Sequence, residues 1–206
     1  MILEMHPSNP DPRKVQQVVE CLRDGGVVVY PTDTVYSFGA SLMRPKAMET
    51  VARIKGLKLE KANFSLVCYD LSTLAEYTKR VNNQTFKLMK KALPGPFTFI
   101  LPASNSVPKI FNRNKKEVGI RIPDNNIPRD VVKELGNPII ATSVYDEDEL
   151  IEYTTDPELI HEKHGHMVDI VINGGYGQNV ASTIVNCIGD EPEIVRQGIG
   201  ALDEYL

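Results

Sequence analysis

Apolar residues recur along this chain in two rhythms. Val15, Val18, Val19 and Leu22 fall on one face of a helix predicted over residues 13–24, which Gly25-Gly26 stops. Val27-Val28-Val29-Tyr30 is a continuous apolar run between Gly and Pro, the pattern of a strand buried on both faces. Residues 31–40 read as a loop. Met48, Val51, Ala52 and Ile54 mark a helix over 46–55, and a strand follows over 64–68. Asp70 is placed to cap a short helix ending at Tyr77. A further helix covers 83–92. Strands are expected over 97–101, 118–122 and 138–142, with a helix over 128–135 that Gly136 ends. The last third carries a short helix over 156–164 and strands over 167–172, 183–187 and 193–196.

Helices and strands intermix, and several strands are apolar throughout. That combination predicts an α/β fold: a twisted sheet with helices on at least one face. The strand-rich last third makes the sheet mixed rather than purely parallel. No repeat or linker interrupts the chain, so residues 1–206 read as a single domain. The acidic run Asp146-Glu147-Asp148-Glu149 reads as a solvated excursion.

Composition narrows the classes. Hydrophobic residues make up 42 % and charged residues 24 %, which excludes disordered and fibrous chains. No run approaches the ~18 apolar residues of a membrane span. The opening Met1-Ile2-Leu3-Glu4-Met5-His6-Pro7 lacks the basic start and long apolar stretch of a signal peptide. Cys21, Cys68 and Cys187 are far apart, odd in number and set among apolar residues. They read as buried, reduced thiols of a cytoplasmic protein. Charge is uneven. Residues 51–140 hold 16 Lys/Arg against 7 Asp/Glu, whereas residues 141–206 hold 2 against 14. An acidic chain is a poor general nucleic-acid binder, but the basic middle can build a local field for a polyanion, or simply form solvated helix faces.

The first chemical candidate is Tyr30-Pro31-Thr32-Asp33-Thr34-Val35-Tyr36-Ser37-Phe38-Gly39-Ala40, which follows a buried strand. Open α/β sheets bind ligands beyond the carboxyl ends of their strands. Two hydroxyls and a carboxylate project from this tight segment; the alternative is a turn that satisfies its own backbone. His161, His164 and His166 have helical spacing but no cysteine nearby, so a solvated helix end explains them better than a metal site.

The segment resembles the opening signature of the YrdC-like threonylcarbamoyl-AMP synthase family, Pro-Thr-(Asp/Glu)-Thr-Val-Tyr-Gly-Leu-Gly. Further resemblances follow in family order across residues 12–200. They are Ile54-Lys55-Gly56, Asn63-Phe64-Ser65-Leu66-Val67, Pro94-Gly95-Pro96-Phe97-Thr98, Val118-Gly119-Ile120-Arg121-Ile122-Pro123, Ala141-Thr142-Ser143, Ala181-Ser182-Thr183-Ile184-Val185 and Val195-Arg196-Gln197-Gly198. Two departures, together with Phe64 where the family has Pro, resemble the YciO-like branch. The family's Lys-x-Arg element is here Lys55-Gly56-Leu57, with Lys58 one place late, and its Ser-x-Asn element is Ser143-Val144-Tyr145. Leu57 is no conservative replacement, because only arginine offers a bidentate fork to phosphate.

The resemblance implies an open concave cleft and the joining of L-threonine, bicarbonate and ATP, with Mg²⁺ on the triphosphate, into threonylcarbamoyl-AMP. That product feeds tRNA threonylcarbamoyladenosine modification, so downstream tRNA-modification proteins are implied partners. It implies Lys55 and Arg121 as catalytic residues. Lys55, Lys58, Asn63, Thr98, Ser143 and Arg196 would bind nucleotide, and Thr32, Thr34, Arg121 and Ser182 would bind threonine. No resident metal site is implied. Read alone, Lys55 fits a lysine complementing a helix end and Arg121 a strand arginine on a wet face or in an ion pair. A second class is a non-catalytic protein of the same fold that binds double-stranded RNA, tRNA or a nucleotide.

Overall fold

Among the residues described by the computed structural model, 1–108, 116–144, 154–189 and 191–205, ten strands form one mixed sheet. In chain order they are β1 (Ile2–Glu4), β2 (Val27–Tyr30), β3 (Ser37–Ser41), β4 (Ser65–Val67), β5 (Phe97–Pro102), β6 (Glu117–Arg121), β7 (Ile139–Ser143), β8 (Ile170–Asn173), β9 (Thr183–Asn186) and β10 (Glu193–Arg196). Their spatial order is β1-β8-β2-β3-β7-β4-β6-β5-β9-β10. The pairs β1/β8, β2/β8, β4/β6 and β5/β9 are parallel, and the other neighbours are antiparallel. The helices are α1 (Pro12–Arg23), α2 (Pro45–Ile54), α3 (Leu71–Tyr77), α4 (Asn83–Ala92), α5 (Asn126–Leu135) and α6 (Pro157–His164).

The helix ends follow from local chemistry. The Asp70 carboxylate accepts from the Thr73 N–H at 2.8 Å and starts α3, while Asn82 does the same for Thr85 at 2.7 Å in α4. Gly136 ends α5 at φ 79°, a conformation that a β-carbon disfavours.

Each face of the sheet has its own core. On one face, α2, α3, α4 and α6 pack Met48, Val51, Leu74, Leu88, Met89 and Ile160 over Phe38, Leu66, Phe97, Phe99 and Ile120. On the other, α1 and α5 pack Val15, Val18, Leu22, Ile127, Val131 and Leu135 over Val28, Ile139, Ile170 and Ile172. This second pair of helices covers only part of its face. Beyond it the sheet carries small or polar residues in register: Ser37 opposite Ser143, Gly39 and Ser65 opposite Ala141, Ser65 opposite Gly119, and Gly119 opposite Ile100. Together with the missing helix cover, these mostly small side chains leave a hollow.

Two strands depart from the sequence reading. Residues 37–40, assigned to a loop, form the interior strand β3 together with Ser41, and every residue of it is buried. The terminal Ile2–Glu4 forms β1, an edge strand paired with β8. The histidine reading also changes. His164 is buried rather than solvated, and its ring lies edge-on to Phe38 with centroids 5.2 Å apart. Cys68 and Cys187 are buried free thiols, while Cys21 is half-buried; burial pushes Cys21 and Cys187 up to about 11. No helix among the described residues is long and apolar enough to cross a membrane. Tyr145 and the run 146–149 lie outside the described residues.

Candidate functional site

The hollow is an open cleft of about 390 Å³. Its floor is the small-residue patch, with Ser37, Ser65, Gly119, Ala141 and Ser143 among its lining. Ile100, Val118, Ile184 and Val195 give it an apolar side, and Arg121 and Arg196 bring positive charge. Pleating puts Glu117, Gly119 and Arg121 on the same face of β6, so a carboxylate and a guanidinium mark positions about 13 Å apart along the strand.

Arg121 is 5 % exposed at the end of β6. Its Nη2 donates to Asp33 Oδ1 and to Thr34 Oγ1, both at 3.0 Å. The bonds then run in one direction. Thr32 Oγ1 donates to the Val35 carbonyl at 2.8 Å and lies 3.1 Å from Thr34 Oγ1. With the Thr32 proton directed at Val35, the Thr34 hydroxyl accepts from Arg121 and donates to Thr32. The Thr34 carbonyl in turn accepts from the Gln178 N–H at 3.0 Å. Three polar atoms in this corner are buried without a hydrogen bond: Arg121 Nε, Asp33 Oδ2 and the Tyr30 hydroxyl. Burial pushes the Tyr30 phenol up, with the Arg121 charge opposing it.

Arg196 approaches from β10 and donates to the Ser182 carbonyl at 2.8 Å. Partial desolvation against the cleft wall, and then repulsion from Arg121, pull its guanidinium below the usual value. Two cations that face one cleft and repel each other form a seat for an anion. The Ser182 and Thr98 hydroxyls are 2.9 Å apart in the cleft wall. The next residue fixes the rim. Thr183 Oγ1 donates to the Gly200 carbonyl at 2.6 Å and accepts from the Gly198 N–H at 2.9 Å.

The cleft thus gathers Asn63, Thr98, Arg121, Ser143, Ser182 and Arg196 from the sequence-derived set. Thr32 and Thr34 stand one layer back, and their hydroxyls hold Arg121. Lys55 and Lys58 do not line the cleft. Lys55 caps the end of α2 and Lys58 precedes the short 3₁₀ turn 59–61, which leads into the lining residues Ala62 and Asn63. Sequence reasoning missed Asp33 as the partner of Arg121, although it is the one carboxylate in the Pro31–Ala40 segment. It also missed Ser37, Ser65 and Glu117, whose only signal is alternation with apolar neighbours. Among the described residues no three His, Cys, Asp or Glu side chains converge to hold a metal ion.

The Sua5/YciO/YrdC family model, described as telomere recombination, matches residues 20–198. The chain belongs to this family. A Haemophilus influenzae family member, named only as an uncharacterised protein, is 40 % identical over 98 % of this chain and 97 % of its own length. The crystal structure of Escherichia coli YciO superposes with a TM-score of 0.91 at 38 % identity, covering 100 % of this chain and 99 % of that one. A Bacillus subtilis threonylcarbamoyl-AMP synthase is 30 % identical over 93 % of this chain and 55 % of its own length. Pyrococcus abyssi Sua5, solved with L-threonine, shares the fold with a TM-score of 0.88 at 24 % identity, covering 99 % of this chain and 59 % of that one. Within the family, YciO-type proteins are therefore nearer to this chain than the synthases are.

Proposed function

We propose that the cleft joins L-threonine, bicarbonate and ATP into threonylcarbamoyl-AMP or a related acyl adenylate. The observation that carries this reading is the pair of arginines, one buried in β6 and one on the rim, facing a floor of small and hydroxyl-bearing residues. In the reaction the threonine amine and bicarbonate give a carbamate and water. A carbamate oxygen then attacks the α-phosphorus, the bond from that phosphorus to the bridging oxygen breaks, and pyrophosphate leaves. Two anions must meet, so catalysis is chiefly positioning and charge stabilisation.

Arg121 suits the threonine carboxylate and is held in place by Asp33 and Thr34. Arg196 and Ser143 line the cleft from β10 and β7 and would meet nucleotide phosphates, and Asn63 and Thr98 supply polar contacts. Lys55 and Lys58 would reach the phosphates from the segment leading to the lip. The described residues offer a triphosphate basic and hydroxyl groups rather than a carboxylate cage, which suits Mg²⁺ entering on the nucleotide.

A second reading is a protein that binds a nucleotide or RNA without turnover. Leu57, 45 % exposed where the family has arginine, favours it. Pyrophosphate release measured with ATP alone, and with threonine and bicarbonate singly and together, separates the two. Release that requires both co-substrates supports the synthase. ATP or RNA binding with no release under any combination overturns it in favour of the binder.

A further inference from the structure

We infer that Gln197 is a positioning residue: it fastens the chain after β10 onto β9 and thereby aims the Arg196 guanidinium into the cleft. The inference rests on the nucleotide reading of the cleft and adds to it the residue that sets how firmly the rim cation is held.

Arg196 has little else to fix it. It sits on β10, whose four residues are exposed and which pairs only with β9. The register shifts between Ile194 and Arg196, so the ladder is disrupted just where this residue leaves it. Arg121 repels it across the cleft. A long cationic side chain in that position turns its head to water unless something holds it. Its Nη2 nonetheless donates to the Ser182 carbonyl at 2.8 Å, within the cleft lining.

Gln197 accounts for the fixity of that acceptor. The residue is exposed and does not line the cleft, yet both of its amide hydrogens are used. Nε2 donates to the Gly200 carbonyl at 2.8 Å and to the Gly198 carbonyl at 2.9 Å. Both partners can only accept, which requires the nitrogen rather than the oxygen on this side. Thr183 closes the ring from β9. Its hydroxyl donates to the same Gly200 carbonyl at 2.6 Å and accepts from the Gly198 N–H at 2.9 Å. Thr183 is fully buried and pairs with Phe97 of β5, so the segment 197–200 is tied to the interior of the sheet.

The tied segment bears directly on Ser182. A β-carbon at Gly198 would overlap the Ala181 carbonyl and the Ser182 backbone, so the two stretches of main chain are in contact. The Ile199 N–H donates to the Ala181 carbonyl at 3.0 Å, and Gly200 lies against the Phe97 ring. Ser182 is therefore clamped. With it are clamped the carbonyl that holds Arg196 and the hydroxyl 2.9 Å from Thr98. Gln197 thus acts on the cleft through its neighbour and touches no ligand itself.

The test uses the full chain. Nitrogen-15 relaxation reads the order of the arginine Nε–H groups without ligand, and calorimetry gives the dissociation constant of ATP with Mg²⁺. Gln197→Met keeps an unbranched stem and removes both donors. Thr183→Val removes the other half of the fastening with little change of shape, and serves should the first variant fail to fold. Either should loosen the Arg196 Nε–H, while the Arg121 Nε–H on β6 keeps its wild-type order. The ATP dissociation constant should rise roughly three- to tenfold, the scale of one lost hydrogen bond. If Arg196 keeps its order, or Arg121 loosens as much, Gln197 is merely structural; the inference fails and the nucleotide reading stands. Loosening of Arg196 with unchanged ATP affinity also overturns it, because the nucleotide then does not use that cation. A wild type that binds no ATP overturns both.

Discussion

Removing Arg121 should destabilise the protein more than removing the whole ion pair. In Arg121→Met the stem is retained, but Asp33 Oδ1 loses its 3.0 Å partner while Oδ2 already has none. The result is a carboxylate, nine-tenths buried, with neither oxygen engaged. Breaking one side of a buried pair costs about 3–5 kcal/mol. The cleft admits water on one side of Arg121, so the lower end, about 3 kcal/mol, is expected here. For a chain of this length that lowers the melting temperature by roughly 6–12 °C. Adding Asp33→Asn to Arg121→Met removes the stranded charge and should restore at least about 1.5 kcal/mol. Urea unfolding of the wild type, both single variants and the double gives the cycle, provided the slope against denaturant is constant. If Arg121→Met costs under about 1 kcal/mol, or the second substitution lowers stability further, the pair is solvated and this account of the corner is wrong.

Three further outcomes follow from other parts of the structure. Gly119→Ala places a β-carbon 3.4 Å from Ser65 and Thr98 and should alter stability by less than about 1 kcal/mol, whereas Gly119→Val should fold yet lose ATP binding in calorimetry. Leu57→Arg, which supplies the missing fork, should tighten ATP binding by roughly 10- to 150-fold in calorimetry; no gain would mean that the phosphates are gripped elsewhere. Asp70→Ala should cost about 1 kcal/mol through the lost α3 cap. The Thr73 N–H bond holds the Asp70 carboxyl below its usual range, so the cap stabilises the fold above the unfolded carboxyl value near ~3.9 and this contribution is lost as pH falls through the folded one. The gap between wild type and Asp70→Ala in acid unfolding should therefore close at low pH.

The elements that the sequence made legible are those whose own residues decide them. Val15, Val18, Val19 and Leu22 all point into the core as their spacing requires, and the Asp70 cap and the Gly136 stop are where local chemistry puts them. β3 was hidden because Ser37-Phe38-Gly39-Ala40-Ser41 lacks the branched residues of a typical strand. On one side of it Ser37 lines the cleft and Gly39 lies under the Tyr30 ring, and its partners lie in β2 and β7, the latter a hundred residues away in the chain. β1 was hidden for a related reason: three residues become a strand only through Val171 to Asn173. At the site, resemblance supplied the cleft residues, but which hydroxyls face a ligand and which brace an arginine depends on side-chain directions. Thr32 and Thr34 brace Arg121 from behind, while the Ser182 hydroxyl lies in the cleft wall beside Thr98.

The two arginines of the cleft belong to parts of the sheet with very different resistance to local opening. Arg121 sits in β6, paired on both sides and packed above a continuous core. Arg196 sits in β10, whose four residues are all exposed and whose ladder runs along one edge only, with an irregular register between Ile194 and Arg196. Amide protons of β6 should exchange only through near-global unfolding, while those of β10 exchange through fraying of the rim, which the buried Thr183 anchors to β9. One half of the seat is thus built into the middle of the sheet, and the other half rests on its most exposed edge.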